Sequence, residues 1–408
     1  MNRLFRISAI VPLFLLALTA DGQKAYKPIK AALKARQNAE VLKQVAKLET
    51  DSALRLDPRL YDFAVQANVG LALAENEKIY LKQPYDTARF FLSIYGIYDY
   101  SLRCDTMEVK AAQKGKFPKY QRPHRELLHR NYKNLVAGGR YFFLRKQDAK
   151  AMQLLRMAVD VPSHPLFGGE TPPVSAQTMA ENASLIVRTA YKTADYPMAL
   201  RYASAALKDT SQTRKNLLEY LSFSAMHVGD TARCLHYLYS GIDEFPHEPV
   251  FFQALNSYYV ERSDYQQSLD VASRLLVADS LNTMLLSAKN IALMNLGRYD
   301  EAVAVARRII EIDSTHTETY LNLGESLCHQ AESVIMPENI NSSGYSRAVA
   351  FRRSFYSAAL SPLETYRRLK PADTAHWAPL LYKVYFSLND GERFAEIEKI
   401  LSQLPSDK

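Results

Sequence analysis

From Lys215 onward the chain can be laid upon itself. Lys215 opens KNLLEYLSFSAMHVGDTARCLHYLYSGIDEFPHE, Pro249 opens PVFFQALNSYYVERSDYQQSLDVASRLLVADSLN and Thr283 opens TMLLSAKNIALMNLGRYDEAVAVARRIIEIDSTH. Each copy starts 34 residues after the last, and a fourth begins at Thr317 with TETYLNLGESL. A fixed period of that length is the mark of a chain folding as an array of small units. In each full copy two apolar stretches flank a polar turn, at Gly229-Asp230, Ser263-Asp264 and Gly297-Arg298. Phe252, Leu255 and Tyr259 before the turn, and Leu269, Ala272, Leu275 and Leu276 after it, recur at helical spacing. Each unit is therefore predicted as a helix, a tight turn and a second helix. A small residue stands early in every second helix: Cys234, Ser268 and Ala302, with Ala199 in the unit before. A small side chain there lets the two helices approach, where Leu would force them apart. Cys234 is accordingly read as a small buried hydrophobe.

The run Gly297-Arg298-Tyr299-Asp300-Glu301-Ala302 with its following helix, and Tyr320, Leu323 and Gly324 in the next copy, resemble the tetratricopeptide repeat family. The resemblance covers Ala180 to Leu327. It departs where Asn256 and Asn290 replace the family's usual Gly or Ala, and where Ser263 replaces the turn glycine. It implies an all-α fold, a right-handed α-solenoid of stacked helix-turn-helix hairpins with the first helices lining a concave face. The layout is also similar to exported repeat proteins of the Bacteroidetes type.

Weaker copies extend the pattern in both directions. A helix from about Leu60 to Leu81 precedes one opening at Tyr85-Asp86-Thr87-Ala88. Another from about Arg122 to Arg145, carrying Gly138-Gly139, precedes Asp148-Ala149-Lys150-Ala151. The expected organisation is a leader at 1–22, a capping helix within 23–57, divergent hairpins at 58–165 and a loop insertion at 166–179. The regular array then occupies 180–327, and 328–408 holds an elongated hairpin, its long helix running from Tyr345 to Lys370 with Pro362 a candidate interruption, and a final capping hairpin.

Arg3 and Arg6 followed by the apolar stretch Ile7 to Ala20, and then Ala20-Asp21-Gly22, read as a cleaved signal peptide. The stretch is too short to span a bilayer, and no cysteine follows it to carry a lipid. A periplasmic or extracellular location is the expectation. Removing residues 1–22 takes away Arg3, Arg6 and Asp21 and lowers the formal +8 charge by one. That modest excess is spread along helix faces without interleaved stacking aromatics, which speaks against nucleic acid.

Chemistry-bearing motifs are missing. Gly138-Gly139 is followed by Arg140-Tyr141, not by a phosphate-loop Lys-Ser. His124 and His129 are five apart, which puts them on different helix faces, so they read as packing or surface histidines. Cys104, Cys234 and Cys328 are far apart, and adjacent Cys328 and His329 make a poor chelate. No cofactor and no metal are expected.

What remains is a binding surface. Helical spacing places Phe223, Met226, Val260, Ile291, Met294 and Leu321 on the concave face of successive first helices, with Arg188 and Tyr191 from the unit before. Apolar residues facing water mark a docking surface, and Met suits irregular partners. The expectation is a non-enzymatic scaffold for a protein or peptide partner. Two alternatives stay open: a structural or assembly factor of the bacterial envelope, and an enzyme with its site in the divergent residues 58–165.

Overall fold

The computed structural model describes residues 24–112, 118–211 and 214–403, and the expected leader at 1–22 lies outside them. The described residues are all-α, with no strand among them. They divide into two compact units, residues up to Tyr237 and residues from Leu238. The division falls inside the stretch read from sequence as one regular array.

The first unit holds α1 (Lys27–Lys34), α2 (Asn38–Leu48), α3 (Pro58–Tyr80), α4 (Thr87–Ala112), α5 (Gln121–Leu144), α6 (Asp148–Asp160) and α7 (Ala176–Lys192). It continues with α8 (Tyr196–Arg201), α9 (Ala203–Ala206), α10 (Arg214–His227) and the start of α11 (Thr231–Glu244). Within it the helices from α1 to α9 each pack on the next in sequence, and α10 returns to α7 and α8. The second unit holds the rest of α11, then α12 (Pro249–Val260), α13 (Tyr265–Leu276), α14 (Thr283–Asn295) and α15 (Tyr299–Ile312). It ends with α16 (Thr317–Glu332), α17 (Ser343–Leu369), α18 (Thr374–Leu388) and α19 (Gly391–Ser402). Here too consecutive helices pair.

One backbone device closes nearly every hairpin. The residue two before the second helix adopts the left-handed conformation: Arg36, Lys146, Ala194, Gly229, Ser263, Gly297 and Asn389, with φ between 55° and 76°. The next amide donates back to the carbonyl five residues earlier, as from Gln147 to Phe142 (3.0 Å), Asp195 to Ala190 (2.8 Å), Asp264 to Tyr259 (2.9 Å) and Arg298 to Leu293 (2.9 Å). This satisfies a carbonyl that the helix end would leave bare and reverses the chain within two residues. Asp195 and Asp264 then cap the new helix by accepting the amides of Met198 and Gln267. The turn runs through the divergent copies as well, so they are the same kind of unit.

The close-packing residues sit between the helices as expected. Ala199, Cys234, Ser268 and Ala302 are all buried. Asn290 donates to the carbonyl of Ala302 at 2.9 Å, bridging α14 to α15. Asn256 accepts from the Ser268 hydroxyl at 2.6 Å, bridging α12 to α13. An Asn is tolerated there because each amide finds a partner on the opposing helix. At Gly139 an added Cβ would stand 2.8 Å from Leu155 Cδ2, which explains the glycine pair of α5.

Three expectations need correction. Residues 23–57 hold not one capping helix but the hairpin α1–α2, closed at Arg36 by the common turn. Within the expected loop 166–179, residues Pro165–Phe167 form a 3-10 turn and α7 already starts at Ala176, whose amide turn is capped by Ser175. Pro362 does not interrupt α17, which runs unbroken from Ser343 to Leu369. A proline forfeits one hydrogen bond inside a helix, but Pro362 is buried among Ala359, Leu363 and Tyr366, whose packing holds the helix through it.

Candidate functional site

In the first unit the last turns of α5 and α7 and the middle of α10 line a cleft of about 490 Å³. Phe143 and Leu144 come from the end of α5, and Lys146 from the turn after it. Asp148 opens α6; Arg188, Thr189, Tyr191 and Lys192 close α7; Tyr220 lies on α10. The left-handed turn at Lys146 ends α5 abruptly and leaves Leu144 76% exposed beside the cleft.

Aromatic rings give the cleft its walls. Tyr191 stacks on Tyr220 with centroids 4.6 Å apart and planes at 26°. Tyr196 continues the series at 6.3 Å from Tyr191 and itself stacks on His227 at 4.3 Å. Burial, with the Glu219 carboxylate adding to it, pushes the Tyr191 phenol up, so the ring carries a neutral hydroxyl at physiological pH. The Arg188 guanidinium lies 5.3 Å over the Phe143 ring, an attraction worth about 0.5–1 kcal/mol at an exposed site.

The charges are unevenly matched. Lys192 pairs with Asp148 at 2.7 Å across α7 and α6. Arg140 holds Glu181 at 2.6 Å and Asn182 at 3.1 Å, tying α5 to α7 behind the cleft. Among the described residues no carboxylate lies within ion-pair distance of Arg188 or Lys146. The cleft thus offers flat aromatic surface, one projecting leucine and two cations without an acid of their own. Such a site can take an apolar side chain and an anionic group at once.

Of the residues expected on the binding face, Arg188 and Tyr191 meet in this cleft. Phe223 is half-buried one turn further along α10, and Met226 is exposed at its end. In the second unit Val260 and Ile291 are exposed, on α12 and α14. Met294 is half-buried against the cluster of Leu269, Ala292, Leu293 and Ala302. Leu321 is only 9% exposed and belongs to the core shared by α15 to α19. Its place in the repeat turned it outward on paper, but the packing of α16 on both α17 and α18 takes the side chain into the core. Phe143, Leu144, Lys146 and Tyr220 were missed. Phe143 and Leu144 occupy, at the end of α5, the places that Tyr191 and Lys192 hold at the end of α7. The intervening segment 161–175 breaks the 34-residue spacing that would have aligned them.

Reactive groups elsewhere, buried or half-buried, serve packing. His124 is buried with Nε2 3.1 Å from Asp62, and His129 Nε2 stands 2.9 Å from the Phe167 carbonyl. Cys104, Cys234 and Cys328 are unpaired and buried, and burial pushes the Cys328 thiol up to about 12. No group of three or more His, Cys, Asp and Glu side chains suited to a metal occurs among the described residues. No helix among them is long and apolar enough to cross a membrane.

No family model matches the chain, and no curated protein matches it. Solved structures do resemble it. The C-terminal part of a TPR repeat-containing protein from Cytophaga hutchinsonii is 13% identical, with 67% of this chain and 96% of that one covered at a TM-score of 0.41. A tetratricopeptide repeat protein from Parabacteroides merdae is 15% identical, covering 68% and 95%, at 0.33. MamA from Desulfovibrio magneticus is 11% identical, covering 47% and 97%, at 0.28. The chain's own geometry states the fold: helix-turn-helix hairpins of the tetratricopeptide type, with second helices starting at Thr231, Tyr265 and Tyr299 in the 34-residue period.

Proposed function

We propose that the protein is a non-enzymatic scaffold that binds a segment of another protein on the first-helix face of its hairpins. The observation that carries this reading is the cleft over α5, α7 and α10. Its rings are held rigid by stacking, and its Arg188 and Lys146 charges are not consumed within the fold. Tyr and Arg are the side chains on which binding energy concentrates, because they present much surface for little lost freedom. The bound segment lays an apolar side chain against Leu144 and Phe143 and directs a carboxylate at Arg188.

The reading also takes the chain as exported, with cleavage near Ala20 or Gly22 and the folded part in the periplasm or outside the cell. N-terminal sequencing of the protein recovered from its host checks the second statement; a retained Met1 contradicts it.

Peptides selected by display on the purified chain test the first. Replacing Tyr191 by Ala or Arg188 by Gln weakens the selected peptides by about 2 kcal/mol, some thirtyfold. Met226→Asp weakens them less, since Met226 lies beyond the cleft. Selected peptides that bind all three variants as tightly as the parent chain overturn the reading.

A further inference from the structure

The penultimate hairpin departs from the others in a way that folding does not require. Helix α17 has 27 residues, against 16 in α16 and 15 in α18. At 1.5 Å per residue it is about 40 Å long beside neighbours of about 24 Å and 22 Å. Its C-terminal end is matched to α16, where Lys370 and Tyr366 both reach Glu318. The guanidinium of Arg353 donates to the carbonyl of Leu388, the last residue of α18, at 2.9 Å. Everything before Arg353 runs past that end. No residue of α17 before Tyr356 is buried. A helix half that buries no side chain fully is marginal in water.

The overhang and the segment leading to it carry a distinct chemistry. Ile335 is 90% exposed, Ile340 66% and Phe351 58%. Between Ile335 and Leu363 the charged residues are Glu338, Arg347, Arg352 and Arg353. Arg347 contacts the Ser343 carbonyl and Arg352 lies over the Tyr356 ring. Among the described residues none of the three arginines has a carboxylate within ion-pair distance. The connecting segment is ordered onto the helix start, with Ser342 accepting the Tyr345 amide and Pro337 lying against Gly344.

We infer that this basic, apolar overhang seats on an anionic lipid surface, with Ile335, Ile340 and Phe351 entering the headgroup boundary and the three arginines meeting lipid phosphates. The charge is predominantly positive, three arginines against Glu338, which suits an anionic bilayer and disfavours a second copy of the same overhang. The exposed Ile335, Ile340 and Phe351 are spaced along a protrusion among mostly small and polar residues, so a deformable surface matches them better than a preformed protein groove. Long arginine stems keep their charge at the interface while the apolar neighbours enter. This is attachment to one face of a membrane by the second unit, and it is independent of the cleft in the first.

The test mixes the purified full chain with vesicles of phosphatidylcholine alone and of phosphatidylcholine with phosphatidylglycerol, and reads partition by co-sedimentation. Partition is expected only with phosphatidylglycerol and falls with added salt, which screens such charges over about 10 Å at 0.1 M. It drops on the order of a hundredfold in R347Q/R352Q/R353Q, about fivefold per charge removed. I335S/F351S loses it too, with helical circular dichroism unchanged because both positions are exposed. In F351W the tryptophan emission shifts to the blue on binding. Equal partition into both vesicle types, partition unchanged in the triple variant, or an F351W emission that stays put on binding overturns the inference. So does saturable binding of the chain to poly-glutamate with no partition into either vesicle.

Discussion

Hairpins α14–α15 and α3–α4 both leave their first helix through the left-handed turn, at Gly297 and Lys82, and differ in how the chain then reaches the second helix. The first turns at Gly297 and needs nothing but backbone: a left-handed residue, a returned hydrogen bond and an immediate restart at Tyr299. The second has a longer connection, from Tyr80 to Thr87, and ties it with a side chain. Glu75, buried on α3, accepts the amide of Asp86 at 3.0 Å and pairs with Lys78 at 3.0 Å. The next link, from α4 to α5, is anchored likewise by buried Glu108, which accepts the amides of Lys119 and Tyr120 at 2.5 and 2.9 Å. Short turns are self-sufficient, whereas long ones depend on a buried acceptor that no repeat pattern reveals.

Removing that acceptor is the strongest way to break the comparison. Glu108→Ala removes the buried carboxylate that holds the Lys119 and Tyr120 amides and is expected to cost about 3 kcal/mol, read as a fall in the urea midpoint; a cost under ~0.5 kcal/mol would show the connection does not need it. Ala302→Leu attacks the other kind of hairpin, forcing α14 and α15 apart, and costs about 2 kcal/mol. Smaller effects sharpen the turn itself. Ser263→Gly relieves a side chain at φ 56° and stabilises by about 1 kcal/mol, while Gly297→Ala at φ 70° destabilises by a similar amount. Equal and negligible shifts in both would mean the left-handed turn carries no strain.

The smallest effect is a pH dependence. The Asp86 amide, with Lys78 and Arg89 assisting, holds the Glu75 carboxyl below its ordinary value against the opposing effect of burial. A carboxylate depressed in the folded state contributes stability above its unfolded pKa of about 4.3 and loses it as pH falls through the folded value. The stability gap between the parent chain and Glu75→Gln is therefore largest near neutrality and narrows in acid. A gap that widens as pH falls has the wrong sign for this account.

Much of the fold was legible because the turn and its small neighbour recur at fixed spacing: Gly229, Ser263 and Gly297 with Cys234, Ser268 and Ala302. Asn256 and Asn290, departures on paper, turn out to be bridges between paired helices. The α1–α2 hairpin was hidden because Arg36 at its turn looks like any surface arginine. Of the site, Arg188 and Tyr191 could be placed by period alone. Leu144 and Lys146 could not, since residues 161–175 shift the register between their hairpin and the next. Leu321 shows the opposite limit: period assigns a face, while neighbouring helices decide whether water reaches it.

The central claim is that the irregular early hairpins and the regular later ones share one closing device. Residue-resolved amide exchange measures it directly. The amides of Gln147 and Asp195 should exchange as slowly, relative to their exposed neighbours, as those of Asp264 and Arg298, because all four donate across the same turn. Exchange at Gln147 and Asp195 at unprotected rates, with Asp264 and Arg298 protected, would contradict it.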